Sequence, residues 1–348
     1  MIKNCHILFI GDCALGRKTT NGVSAKNYFL LKRLRSLCPD VINIDTARWR
    51  KRPFVLLKLL ICLITYRNHD LIISLNTHSA YLFLKTIKIL FPHKKVSYFV
   101  IGGVLGHWLK EGKVQKAPYH IVKNFIVETK DMEKDLKEMG FTSVISLPNF
   151  KDIPQPLPER HGNKGHMRFI FLSRIIPEKG CGEILEAIKI LNEKGLRDNF
   201  CVHFYGKIDS RYQARFETEI KQLPNASYLG FLDLQESKNY DTLAGYDIML
   251  FPTFWPGEGF PGVIIDAFIA GLPVIATKWA HNEEIIKDGI TGTLIPVHAT
   301  AALTDCMHMA ILNPEKIKTM SRLCQQEAVK YDTANVLNEN TMKRILSD

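Results

Sequence analysis

Four side chains of this sequence have the chemistry to hold a phosphorylated, hydroxyl-bearing ligand: Arg174, Lys179, Glu258 and Asp266. Glu258 sits among Gly257, Gly259, Phe260 and Gly262, in a turn that runs into an apolar helix expected over 262–270. Pro261 suits the first turn of that helix. Such a turn presents backbone N–H groups, free of intrahelical partners, that fit a phosphate. The carboxylates of Glu258 and Asp266 accept hydrogen bonds from hydroxyls. Both functions in one short segment suggest a nucleotide-sugar site. Asp266 is a poor residue for mid-helix, and its neighbours Val263, Ile264, Ile265, Ala267 and Phe268 are apolar. A carboxylate in that company is either functional or held by an ion pair to a lysine elsewhere.

Arg174 and Lys179 follow a strand expected over 168–173, and Gly180 opens the next helix. Arg can grip a diphosphate in bidentate fashion and Lys acts on it as a point charge. A pair of solvated surface cations is the plainer alternative, because short motifs recur by chance. A second glycine cluster, Gly102, Gly103 and Gly106, follows the strand 96–101 at the end where ligands bind in open parallel sheets. His107 beside it could contact a sugar or shuttle a proton, or could be a bystander. His78 is a lesser candidate at the end of the preceding strand.

The elements that must position these groups alternate regularly. Strands are expected over 5–10, 41–44, 70–75, 96–101, 124–127 and 144–147. A second series follows over 168–173, 200–205, 226–229, 247–251 and 273–276. Amphipathic helices intervene, for example over 23–37, 130–139, 183–194 and 262–270. The strands are continuous apolar runs, as in parallel sheets covered on both faces. Residues 156–166 carry prolines and glycines that end both helix and strand, and read as a linker. The expected division is 1–155, the linker 156–166, 167–330, and a terminal helix over 331–348 that returns to the first domain. The segment 283–292 reads as a wall behind the site. The apolar opening stretch reads as a first buried strand, not as a signal peptide.

The chain has 348 residues, 46% hydrophobic, and no apolar run long enough to span a bilayer. Its eight cysteines are scattered, with no Cys-x-x-Cys pair; neither a zinc site nor a disulfide framework is expected, and a reducing cytoplasm fits. The net charge of +11 is concentrated: residues 1–150 hold 24 Lys/Arg against 10 Asp/Glu. An excess confined to one half points to an anionic partner for that half. Residues 48–66 place Arg48, Trp49, Arg50, Lys51 and Arg52 before a helix opened by Pro53 that is apolar almost all round. That combination is the signature of an interfacial membrane anchor; a core helix with its flanking charges in water is the alternative.

Taken together, Arg174, Lys179, Gly180, Asp247, Pro252, Glu258, Gly259, Phe260 and Pro261 resemble the family 4 retaining glycosyltransferases. That family reads Arg-x4-Lys-Gly, then Asp-x4-Pro-Ser-x2-Glu-Gly-Phe-Pro, then a second Glu eight residues after the first. Gly22 within residues 21–25 resembles its first glycine loop, and Pro148-Asn149 its Pro-Asn-Gly. Two positions depart: the second acid is Asp266, one methylene shorter, and Phe150 stands where Gly is usual. The resemblance implies an α/β GT-B fold, with two doubly wound Rossmann-like domains facing a central cleft. It implies sugar transfer with retention from a nucleoside diphosphate-sugar donor to a lipid-linked or oligosaccharide acceptor in bacterial surface-polysaccharide synthesis.

By that resemblance Arg174 and Lys179 stabilise the departing diphosphate, helped by backbone around Gly16, Gly22 and Gly259. Glu258 contacts the donor sugar, Asp266 holds the ribose, and Phe260 and Gly262 complete the donor site. Gly102, Gly103 and His107 fall on the acceptor side. No Asp-x-Asp occurs, so no obligatory metal or other cofactor is expected. The expected location is cytoplasmic, peripheral on the inner face of the membrane through residues 48–66. A non-catalytic nucleotide- or polyanion-binding protein on the same scaffold is the alternative. Nucleic-acid binding ranks last, since no recognised module accompanies the charge, and a Rossmann dehydrogenase lacks its glycine fingerprint.

Overall fold

The computed structural model describes residues 2, 5–15, 22–47, 49, 54–161 and 165–346. Its chain forms two compact units. The first comprises Met1–Asp152, Gly257–Phe260 and Tyr331–Asp348; the second comprises Ile153–Pro256 and Pro261–Lys330.

The first unit is built on six parallel strands: β1 (His6–Gly11), β2 (Asp40–Asp45), β3 (Asp70–Asn76), β4 (Val96–Ile101), β5 (Val122–Val127) and β6 (Val144–Ser146). They lie in the order β2-β1-β3-β4-β5-β6, with Ile7 opposite Val41 and Asp70. Its helices are α1 (Gly22–Leu37), α2 (Phe54–Thr65), α3 (Thr77–Leu90), α4 (Leu105–Lys110) and α5 (Lys130–Glu138). Asn76 and Thr129 cap α3 and α5, their side chains accepting from the N–H groups of Ser79 and Met132. One face of the sheet packs against α2, α3, α4 and α5 through Cys62, Leu63, Leu84, Ile87, Leu105 and Leu136. The other packs against α1 through Phe29, Leu30 and Leu34.

The second unit repeats the plan with β7 (Met167–Leu172), β8 (Phe200–Tyr205), β9 (Ala226–Tyr228), β10 (Ile248–Phe251), β11 (Val274–Thr277) and β12 (Gly292–Ile295). These parallel strands run β12-β11-β10-β7-β8-β9. Its helices are α6 (Cys181–Glu193), α7 (Gln213–Ile220), α8 (Asn239–Ala244), α9 (Gly262–Ile269), α10 (Asn282–Ile285), α11 (Thr300–Leu312) and α12 (Pro314–Ala328). The short α13 (Thr333–Val336) and α14 (Glu339–Leu346) belong to the first unit. There Ser97 Oγ and Asn124 Nδ2 donate to the Ile345 carbonyl at 3.0 and 2.9 Å, and Lys123 Nζ donates to that of Leu346 at 2.9 Å. These bonds satisfy carbonyls that a helix C-terminus leaves open.

Three expectations need correction. Strand β12 is an element the expected series lacks: it begins at Gly292, the last residue of the segment read as a wall, and at four residues it is too short to show a period. Gly292 is required there, because a Cβ would stand 2.2 Å from the Val274 carbonyl oxygen of β11. Cys5 and Cys38 form a disulfide across a separation of 33 residues, joining the segment before β1 to the end of α1. Scattered spacing gave no hint of it, and the cysteine argument for a reducing compartment loses its force. Finally, residues 153–155, expected in the first domain, and 156–161 of the expected linker are part of the second unit. Arg160 donates to Asp247 Oδ1 at 3.2 Å and to the Tyr246 carbonyl, and Gln325 Nε2 donates to the Pro158 carbonyl at 3.0 Å.

Phe150, the unusual residue after Asn149, is buried in the first unit's core with Phe29, Val336 and Leu337. Its ring fills space that a glycine would leave empty.

Candidate active site

In the second sheet the strand order reverses between β7 and β10: from these neighbouring strands the chain goes on to β8 on one side and to β11 on the other. Such a switch point is where open α/β sheets take ligands. Arg174 and Lys179 lie in the loop after β7, which closes with a 3-10 turn over Pro177–Lys179. The loop after β10 locks onto it: the Phe254 N–H donates to the Glu178 carbonyl at 2.8 Å. The Arg174 guanidinium stacks 4.6 Å from the Trp255 ring centre, and Lys179 Nζ stands 5.3 Å from that of Phe251. Lys179 is buried, which separates it from an ordinary surface lysine. Gly180 is required at the start of α6: its φ is +78°, and a Cβ would come within 2.3 Å of the Pro252 carbonyl oxygen. The spacing of Lys179, Gly180 and Pro252 is thus a packing requirement of two loops that hold two cations at the sheet's edge.

Asp247 has a structural part. Its Oδ2 accepts from the Arg168 N–H at 2.8 Å and its Oδ1 accepts from Arg160, fastening the start of β10 to β7. Burial pushes its carboxyl above the usual range, against the pull of the two arginines.

Helix α9 is buried from Ile264 through Ile269, as its all-round apolar character requires. Asp266 is buried with it, and Tyr240 of α8 donates its hydroxyl to Asp266 Oδ1 at 2.6 Å. Gly262 begins α9 and is half-exposed. Tyr240 is a residue the sequence did not point to; it lies 26 positions away in a stretch with no glycine or charge pattern.

The turn Gly257–Phe260 belongs to the first unit, and its surroundings were also not legible in the sequence. The Phe260 N–H donates to Glu128 Oε2 at 3.1 Å, and Asn149 Nδ2 donates to the Phe260 carbonyl at 3.0 Å. Glu128 Oε1 accepts from Lys26 Nζ at 2.6 Å; both side chains are only 4% exposed. Breaking such a buried pair on one side commonly costs about 3–5 kcal/mol. Gly259 packs so closely that a Cβ would lie 2.7 Å from Glu128 Oε2 and 3.1 Å from Gly102 Cα. The structure therefore brings Gly102 and Gly259 together, and Glu258 is half-buried beside them in sequence. The expectation that this turn offers unoccupied N–H groups is corrected for Phe260, whose N–H is taken by Glu128.

The remaining candidates are more dispersed. Gly102 has φ +83°, a conformation that favours glycine, and Gly103 follows it. His107 is exposed on α4, with Nε2 3.0 Å from Glu111 Oε1 one turn on. Gly22 is the exposed first residue of α1, with open space where a Cβ would be. Gly16 and Asn21, with Arg48, Arg50, Lys51, Arg52 and Pro53, lie outside the described residues. A cavity of about 490 Å³ in the second unit is lined by Glu183, Glu186, Lys189, Tyr212 and Arg215 among others; none of the candidate site residues lines it.

Comparison with known proteins agrees with this geometry. Residues 156–326 match the model of the family described as glycosyl transferases group 1. The amylovoran biosynthesis glycosyltransferase AmsK of Erwinia amylovora is 26% identical over 142 residues, 39% of this chain and 34% of that protein. The UDP-Gal:alpha-D-GlcNAc-diphosphoundecaprenol alpha-1,3-galactosyltransferase of Escherichia coli is 22% identical over 58% of this chain and 54% of that protein. The chain thus spans between about a third and about half the length of these two curated relatives. Among solved structures, Anabaena HepE in complex with UDP-glucose superposes with a TM-score of 0.72 at 15% identity, covering 99% of this chain and all of that one. Two parallel-sheet Rossmann-like units of this kind are the GT-B fold. With the cation-bearing loops at its switch point, the segment 156–326, just under half of this chain, is similar to the glycosyl transferases group 1 family.

Proposed function

We propose that this chain is a retaining glycosyltransferase of the family 4 type. It moves a sugar from a nucleoside diphosphate-sugar to a lipid-linked glycan acceptor in the synthesis of a bacterial surface polysaccharide. The observation that carries the reading is the buried Lys179, held with Arg174 at the switch point of the second sheet. As the glycosidic bond breaks, negative charge builds on the departing diphosphate. Cations fixed in advance stabilise that charge more than they stabilise the intact donor, which lowers the barrier. Glu258 accepts from hydroxyls of the transferred sugar, and Asp266 accepts from the ribose. The acceptor hydroxyl loses its proton to the leaving phosphate as it attacks the anomeric carbon, so no carboxylate nucleophile is needed. With no Asp-x-Asp to bind one, no divalent ion takes part. The printed names of the relatives, one acting on a diphosphoundecaprenol-linked sugar, support the donor and acceptor classes.

The acceptor class also agrees with the first unit's surface. Helix α2 buries Cys62 and Leu63 but turns Phe54, Leu57, Ile61 and Ile64 outward, with Phe54 80% exposed. Its neighbour α3 on the same face of the sheet exposes Leu82, Ile89 and Leu90. Between Asp45 and Glu111 the sequence has eleven Lys/Arg and a single acid, Asp70. An outward apolar stripe amid cations suits the boundary of an anionic bilayer, where each cation contributes ~1 kcal/mol. Among the described residues no helix is long and apolar enough to cross a membrane. In this reading the enzyme works as a peripheral protein on the cytoplasmic face, bound through the outward stripe of α2.

A panel of nucleotide sugars tested for protection against thermal unfolding identifies the donor, because a ligand bound to the folded state raises its stability by mass action. One or more members should raise Tm. No shift with any member would remove the donor-binding reading.

A further inference from the structure

We infer that Glu128, paired with Lys26, is a positioning residue for the reaction: it fixes the turn that carries Glu258. Nothing in the group 1 family match covers Glu128, which lies outside residues 156–326. It follows β5 directly and immediately precedes Thr129, the cap of α5, so its backbone is held by two regular elements. Its carboxylate is divided between two tasks. Oε1 accepts from Lys26 Nζ at 2.6 Å, and Oε2 accepts from the Phe260 N–H at 3.1 Å. From the other side of the same residue, Asn149 Nδ2 donates to the Phe260 carbonyl. Both backbone groups of Phe260 are therefore held by side chains, two residues beyond Glu258.

A buried carboxylate costs free energy unless it is paired and hydrogen-bonded. Lys26 supplies the pairing, and its ammonium also lies 5.8 Å from the Phe150 ring centre. The combination suits holding a short irregular turn in one place, because charge-assisted bonds are shorter and stronger than neutral ones. The glycine at 259 completes the arrangement: only a residue without Cβ leaves room for Glu128 Oε2 and Gly102. Displacing the turn by even a fraction of an ångström would misplace Glu258 relative to a sugar, while Arg174 and Lys179 are carried by their own loop after β7. The inference rests on the donor-sugar role proposed for Glu258.

The test compares Glu128→Ala, Glu128→Gln and Lys26→Met in the full chain. Transfer is measured with the donor identified from the panel, and affinity with the matching nucleoside diphosphate, which carries no sugar. For Glu128→Ala the expected result is a fall in kcat of about tenfold or more with diphosphate affinity within about twofold of wild type. Glu128→Gln keeps an acceptor oxygen for the Phe260 N–H and should recover part of the loss. Gly259→Ala presses on the same contact from the turn's side and serves if Glu128→Ala does not fold. Unchanged kcat in Glu128→Ala, or an equal loss of diphosphate binding and turnover, would overturn the inference. Wild-type protein that turns over no nucleotide sugar would instead refute the proposed function. Positioning is then judged by amide exchange over residues 257–260, which must quicken in Glu128→Ala if Glu128 holds the turn and stays unchanged if it does not.

Discussion

The Tyr240 hydroxyl donates a 2.6 Å hydrogen bond to Asp266 Oδ1, and both residues are buried. The acid that departs from the family pattern by one methylene is thus held at one oxygen by its own chain. Removing the phenolic hydroxyl leaves a buried carboxylate short of a donor. Tyr240→Phe should lower stability by about 1–3 kcal/mol, read by denaturant unfolding, and should raise the KM for donor more than it changes kcat. Asp266→Asn should do the same to KM. An unchanged donor KM in both variants would exclude Asp266 from nucleotide binding.

Lys179 and Arg174 answer a different question. Lys179→Ala should cut kcat by about a hundredfold or more, with Arg174→Ala less severe, since Lys179 is the buried one of the pair. Circular dichroism should show both variants folded. Near-wild-type turnover in Lys179→Ala would separate this lysine from the departing charge.

The outward stripe of α2 predicts membrane behaviour. Leu57→Glu with Ile61→Glu replaces two exposed apolar side chains, so folding should be little affected. Sedimentation with vesicles of anionic phospholipid should show binding weakened by at least about tenfold. Equal binding by the double variant would place the membrane contact elsewhere.

Acid sensitivity should show at Glu327. Burial works against its ionised form, but hydrogen bonds from Lys287 at 2.7 Å and Lys330 at 2.8 Å outweigh it, and its carboxyl is held below the usual range. A carboxyl lowered in the folded state stabilises the fold fully above its ordinary value near 4.5, and that contribution is lost as the pH falls through the lowered one. Glu327→Gln should therefore destabilise the protein by about 1 kcal/mol at pH 7 and by less at pH 3. Equal destabilisation at both pH values would show that packing, not charge, is what Glu327 contributes.

Much of the fold is legible because its strands are buried on both faces. Runs such as residues 96–101 and 200–205 are apolar apart from Ser97 and His203, and the structure starts and stops them at the same residues. The Arg174–Gly180 and Pro252–Pro261 motifs were legible because two loops must pass at Gly180 without a Cβ, which fixes residue type as well as spacing. The partners of these motifs were not legible. Glu128 and Phe260 are 132 residues apart, and Lys26 and Glu128 are 102 apart. Tyr240 and Asp266 pair between two helices with no shared period. A buried polar contact of that kind is made by topology, and single residues far apart carry no pattern to reveal it. Cys5 and Cys38 meet for the same reason, where the start of the chain runs alongside the end of α1.

The most direct measurement is sugar transfer itself, from a nucleoside diphosphate-sugar to a polyprenyl diphosphate-linked saccharide, with the product's anomeric configuration read by NMR. The predicted result is a new glycosidic bond with the donor's configuration retained, formed about a hundredfold or more slower in Lys179→Ala. A product of inverted configuration, or no transfer from any donor that the protein binds, would contradict it.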